Sequence, residues 1–335
     1  MRKTNPLASL LALTTATICF ASNDAAQTGT PHICTAPLPP NIEVTLEGTT
    51  FWNGDFPALN VHVKINGADE GHMVVRFPEQ LEATHVNSGV YKMYYQDNRL
   101  PEWPADLACE PLKVPVKWTG DDKEQSYTME FDNGMVLKAN AKVVGTRVVM
   151  THELTNGSDS NLSGIKFINC VVTGLCTDIL DQKMRRTAVP VDGKFQLMRD
   201  MVPEFYEYEE DRLELPHFYR SYMAGAKRMF TENPQTFPHP GHPDDPKMAL
   251  TNWQVIPSID AAIVATGSKD GKWGIATLSR MADNAWSNAA NTCQHADPVI
   301  DSCRIGETIT SINQIYVFTG PVENLSVKGL PFTQK

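Results

Sequence analysis

Residues 284–307, NAWSNAANTCQHADPVIDSCRIGE, hold the densest set of chemically capable side chains in the chain. His295 and Asp297 stand two apart between Cys293 and Cys303, and Glu307 follows closely. An imidazole beside a carboxylate suits general acid or base work near neutral pH, with Asp297 or Glu307 orienting or complementing His295. Trp286 and Asn288, just upstream, can hold a sugar by ring stacking and hydrogen bonding. The plainer alternative is that His295 and Asp297 bond locally inside a closed turn whose backbone Pro298 fixes.

Three further groups invite the same question. His152 shares the face of an alternating strand with Val148, Met150 and Leu154, which suits a core histidine or, if that face is the working one, a site residue; Arg147 precedes it. Arg220 and Tyr219 follow His217, and an arginine there can clamp the carboxylate of an acidic sugar. His239, His242 and Asp244 lie in NPQTFPHPGHPDDP, where two imidazoles and a carboxylate could take a divalent metal, although proline spacing fixes no ligand geometry. A solvated loop is the competing description.

Arg2 and Lys3, then an apolar stretch over residues 7–20 and small residues around Ala21, read as a secretory leader over residues 1–21. A flexible tail over 22–40 and a single β-sandwich domain over 41–335 are expected to follow. The product is expected to be secreted or periplasmic, with no integral membrane segment once the leader is removed. Of seven cysteines, Cys19 falls in the leader, and an even remainder outside the cytoplasm favours disulfides. Short separations suggest Cys293–Cys303 and Cys170–Cys176, leaving Cys34–Cys109. A ten-residue loop so closed would gain roughly 2–3 kcal/mol.

The formal charge of −10 without an extended basic cluster argues against nucleic acid as a partner. No nucleophile elbow, phosphate-cradling glycine loop or dinucleotide fingerprint occurs, so no cofactor is expected. Period-two alternation runs from about residue 41 to 173, with a hairpin signal at Asp132-Asn133-Gly134. A short helix is expected over 176–186, a hairpin over 189–198, and strands over 253–266, 273–279, 309–318 and 322–328. Strands at this density without βαβ alternation predict an all-β protein, a large antiparallel sandwich with long loops and one or two short helices.

HELTNGSDSNLSGIKF, in which a strand ends in a polar Asn-Gly turn, resembles a step in galactose-mutarotase-like supersandwich proteins. WSNAANTCQHADPVIDSCRIGE with the following ITSINQIYVF resembles a pattern in exported bacterial proteins of that type. The resemblance covers under half of the chain and implies a supersandwich whose concave face holds carbohydrate. Such proteins include epimerases, polysaccharide lyases and sugar-binding modules. The expected function is therefore acid/base chemistry on an oligo- or polysaccharide by an epimerase- or lyase-like protein. The alternatives are a non-catalytic glycan-binding protein using Trp103, Trp253 and Trp286, or a metal-dependent hydrolase built on the His239/His242 loop.

Overall fold

Alternation becomes strand wherever one side chain in two can be buried, and most of the chain follows that rule. A computed structural model describes residues 41–51, 56–96, 109, 112–201, 218–222, 253–255, 258–289 and 292–330. The first nine strands are β1 (Ile42–Phe51), β2 (Phe56–Ile65), β3 (Ala68–His85), β4 (Tyr91–Gln96), β5 (Thr119–Gly120), β6 (Glu124–Glu130), β7 (Val136–Val144), β8 (Arg147–Thr155) and β9 (Leu162–Val172). Next come β10 (Thr187–Val191), β11 (Lys194–Leu197), β12 (Phe218–Tyr222), β13 (Trp253–Val255) and β14 (Ile263–Gly267). The last five are β15 (Trp273–Leu278), β16 (Asn284–Asn288), β17 (Cys293–His295), β18 (Val299–Cys303) and β19 (Thr308–Thr319).

Two sheets result, and the predicted antiparallel β-sandwich is the observed fold. The larger, ten-stranded sheet runs β1-β2-β3-β9-β17-β16-β12-β13, with β4 beside β3 and β18 beside β9. The smaller, nine-stranded sheet runs β11-β10-β14-β15-β19-β8-β7-β6-β5. Among the described residues, every strand pair is antiparallel except β12 with β13. The sheets enclose one large apolar cluster. Leu59, Val61, Val75, Phe77 and Phe167 come from the first sheet, and Met129, Leu137, Met150, Leu154 and Ile315 from the second. The hairpin between β6 and β7 turns where expected: Gly134 adopts φ 89°, and Asn133 Oδ1 accepts the Met135 N–H.

Two expected elements take another form. Residues 176–186 are turns rather than a helix, because the Asp181 carboxylate takes the N–H groups of Arg185 and Arg186. Met184, just before them, adopts φ 48°, outside the right-handed helical region. After β19, Gly320 at φ 84° and Pro321 break the chain direction, and residues 322–329 form two 3-10 turns instead of a strand. Among the described residues, no helix is long and apolar enough to cross a membrane.

Candidate functional site

The segment that looks like a stapled loop is in fact an extended arm. β17 and β18 both pair with β9 in one continuous register, Cys293 opposite Val172 and Cys303 opposite Leu162. Those partners are the two ends of an eleven-residue strand, so the cysteines lie about 30 Å apart at ~3.3 Å per residue. A disulfide spans at most about 7 Å between Cα atoms, so the expected Cys293–Cys303 bond does not exist in this fold. Cys303 Sγ instead faces the Glu307 carbonyl at 3.5 Å. The Cys170–Cys176 pairing is not formed either: Cys176 donates to the Glu70 carbonyl at 3.0 Å, and Cys170 lies with Cys293. Cys34, and with it the Cys34–Cys109 pairing, lies outside the described residues.

Between β17 and β18 the ladder lapses at Ala296-Asp297, before the Phe167 N–H donates to the Pro298 carbonyl at 3.1 Å, and Asp297 fills the gap. Its Oδ1 accepts the Asn169 N–H at 3.2 Å, restoring a bond that the broken ladder would leave unmade. Its Oδ2 accepts the Trp286 indole N–H at 2.8 Å, and His295 Nδ1 donates to Oδ1 at 3.4 Å. β16 sets Trp286 directly opposite His295, and the rings stack with centroids 3.3 Å apart at 12°. One step past the Gln294–Val171 pair, His295 comes beside Cys170. A His295 ring nitrogen and the sulfurs of Cys170 and Cys293 all lie within 4.8 Å of one another.

The cluster is deeply buried: His295 is 0% exposed, Cys170 and Cys293 3%, Asp297 4% and Trp286 8%. Burial opposes a charge on His295, and the Asp297 carboxylate against Nδ1 opposes burial and shifts the imidazole upward. Burial pushes the Cys170 thiol well above its ordinary range, and its hydrogen bond with Cys293 adds to that. With Nδ1 committed to Asp297, His295 Nε2 has no hydrogen-bond partner although it is buried. With no exposed surface, the His295 imidazole meets a ligand only where the cluster around it opens.

The register extends this cluster into a row across the larger sheet. Arg76 on β3 pairs with Cys170, Trp286 pairs with Arg220, and Asn288 pairs with both Cys293 and Phe218. Arg76 is itself buried and bridged to Glu79 at 2.7 Å. Of the residues singled out from sequence, His295, Asp297, Trp286, Asn288 and the Arg220 backbone position are thus brought together. Tyr219 pairs with Ser287, one step out of phase with that row. Asn169 and Arg76 carry no local signal, and spacing offered Cys170 only as a partner for Cys176, because long-range pairing of β9 with β3 and β17 is what brings these residues here.

The other candidates lie elsewhere. Glu307 is exposed and accepts the Arg304 N–H at 2.7 Å, at the far end of β9, so it does not complement His295. Arg147 opens β8 in the smaller sheet, opposite Val144 and Tyr316, and cannot clamp a ligand at His295. His239, His242, Asp244 and Trp103 lie outside the described residues; Trp253 is placed only by its backbone pairing with Phe218. A groove of about 820 Å³ opens on the smaller sheet, lined by Lys117, Glu130, Lys138, Asn140 and Glu153 among others. Its aromatic member, Tyr127, is 3% exposed and packs inward, so it offers no stacking surface.

His152 is a core residue. It is 0% exposed, stacks on Phe167 with centroids 5.0 Å apart, and meets Ser311 Oγ through Nδ1 at 3.2 Å. Burial holds it down at about 3, against an ordinary 6.5. Below pH 6.5 the unfolded chain therefore binds a proton that the folded chain refuses. This contribution to stability is complete above pH 6.5 and falls away as the pH drops towards 3. Urea denaturation at pH 7 and pH 4 should show His152→Gln losing ~3 kcal/mol less on acidification than the wild type. Equal losses in both proteins would contradict this.

Fold and site together define a class: a predominantly antiparallel two-sheet sandwich with a buried polar cluster on its larger sheet. Among solved structures the chain is similar to a galactose mutarotase-like protein from Clostridium acetobutylicum, at 9% identity over 82% of this chain and 99% of that one, with TM-score 0.41. A galactose mutarotase related enzyme from Lactobacillus acidophilus is similar at 11% identity over 83% and 99%, TM-score 0.37. A further galactose mutarotase-like protein, from Lactobacillus casei, is similar at 8% over 82% and 100%, TM-score 0.34. No family model matches the chain, and no curated protein matches it.

Proposed function

We propose that this is an exported carbohydrate-handling protein that works on the larger sheet, over the row formed by Arg76, Cys170, His295, Trp286 and the backbone position of Arg220, with the buried members supporting the region from beneath. The observation that carries the reading is that register. It gathers guanidinium, imidazole and indole groups into one line on a sheet whose inner residues build an ordinary apolar core. An indole suits the apolar face of a sugar ring, and arginines suit its carboxylates or hydroxyls. The segments at residues 152–167 and 286–307, which resemble mutarotase-like proteins, contribute β9 and the β16–β18 arm that build this row.

Recognition is the form the geometry favours, since His295 and Asp297 are engaged with each other and sealed from the surface. The catalytic form of the proposal is proton transfer at a sugar carbon, meaning epimerisation or β-elimination. Incubation with acidic and neutral oligosaccharides separates the two. Altered stereochemistry by NMR, or ultraviolet absorbance from a new double bond, identifies an enzyme. Saturable binding without product identifies a binding protein, and absence of both for every sugar class overturns the reading.

A further inference from the structure

We propose that Cys170, Cys293 and His295 hold one soft metal ion of the zinc(II) class, with Asp297 orienting the histidine from behind. Four observations converge on it. The three ligand atoms lie within 4.8 Å of one another and are fully enclosed. In a tetrahedral zinc site, with Zn–S of about 2.3 Å and Zn–N of about 2.0 Å, such atoms stand roughly 3.5–3.8 Å apart, so a small inward rotation of the side chains closes the set. His295 Nε2 is buried without any hydrogen-bond partner. A bare polar atom in such a place costs stability unless something occupies it. Finally, Nδ1 on the opposite side of the ring donates to Asp297, the carboxylate–histidine arrangement that fixes the tautomer and aims Nε2 at a metal.

The strand register decides between a metal and a disulfide. Cys293 stands opposite Val172, so Cys170, two residues along β9, is its diagonal neighbour rather than its direct one. Diagonal Cα atoms in antiparallel pairs are about 7–8 Å apart, at or beyond the reach of a disulfide, whereas two metal–sulfur bonds bridge a wider gap. Charge balances as well. Binding expels one proton from each thiol, and the two thiolates then neutralise the divalent ion, with Asp297 hydrogen-bonded to the far side of the imidazole. No redox step is involved. Two thiolates and one imidazole leave a fourth position on the ion for water or another small ligand.

This inference goes beyond the carbohydrate reading and does not depend on it. The full chain, purified under reducing conditions and stripped with chelator, is titrated with zinc alone and its metal content measured. One zinc per chain is expected, and replacement by cobalt(II) should give thiolate-to-metal absorption bands. Cys170→Ser, Cys293→Ser and His295→Gln should each lose those bands and at least about tenfold of the affinity. Asp297→Asn should weaken binding by about ten- to a hundredfold without removing the sulfur bands. Cys176→Ser and Cys303→Ser should bind as the wild type does. In the unmodified protein, zinc should shield Cys170 and Cys293 from alkylation while Cys303 is unaffected, a readout that needs no variant to fold. Folded wild type without bound zinc, binding retained in the three ligand variants, or a Cys170–Cys293 disulfide in the native protein would each overturn the proposal.

Discussion

Asp297→Ala is expected to cost about 3–5 kcal/mol of folding stability, more than any surface carboxylate of this chain should. The reason is the number of groups it satisfies. One oxygen takes the Asn169 backbone N–H and the His295 ring, and the other takes the Trp286 indole N–H, all in a place that water does not reach. Alanine leaves each of these donors unpaired, and His295 keeps its buried nitrogens without the carboxylate that stabilises its charged form. Asp297→Asn keeps one carbonyl oxygen, which serves either the indole or the backbone and imidazole donors but not both, so it should lose less than the alanine variant. Urea denaturation of the three proteins at pH 7 measures the difference. A loss under about 1 kcal/mol for the alanine variant would show that the carboxylate does not organise this cluster.

The second large effect belongs to the sandwich interior. Phe167→Ala is expected to cost about 3–5 kcal/mol, in the range for a fully buried aromatic truncated to a methyl group. Phe167 is 0% exposed and packs from β9 onto His152, which itself lies against Phe77 with ring centroids 4.3 Å apart. Truncation opens a cavity between the two sheets and removes one wall of the pocket that keeps His152 neutral. Phe167→Leu, closer in volume, should lose about half as much. Thermal and denaturant unfolding test both, and a loss within 1 kcal/mol for the alanine variant would contradict the placement of this ring at the centre of the core.

The contrast between those two residues shows what the sequence made legible. Strand alternation around Met150 and His152, the Asn133-Gly134 hairpin and the absence of βαβ order were enough to predict an antiparallel sandwich, since each is a local signal. His152 could be placed on a buried face for the same reason. The cluster at Asp297 is not local. Its partner Asn169 is 128 residues away in sequence, and Cys170 reaches His295 only because β17 pairs with β9. Read by spacing alone, Cys293 and Cys303 looked like the ends of a closed loop. In the fold they are the ends of an extended arm whose pairing with β9 holds them far apart. Glu307 and Arg147 were misplaced by the same limit, because proximity in sequence, or a suitable charge, says nothing about which sheet a strand joins. Cys176 to Arg186 failed differently: the side chain of Asp181 captured backbone donors that a helix would have used.

Carbohydrate handling on the larger sheet, over Trp286 and the Arg220 position, is tested most directly by calorimetric titration. The full chain is titrated with a uronic-acid oligosaccharide and with a neutral hexose oligosaccharide, beside Trp286→Ala and Arg220→Gln variants whose folding is confirmed by circular dichroism. Saturable binding of one sugar class by the wild type, weakened at least about tenfold in both variants, is the result expected. No binding of either class, or binding that both variants retain unchanged, would contradict the account.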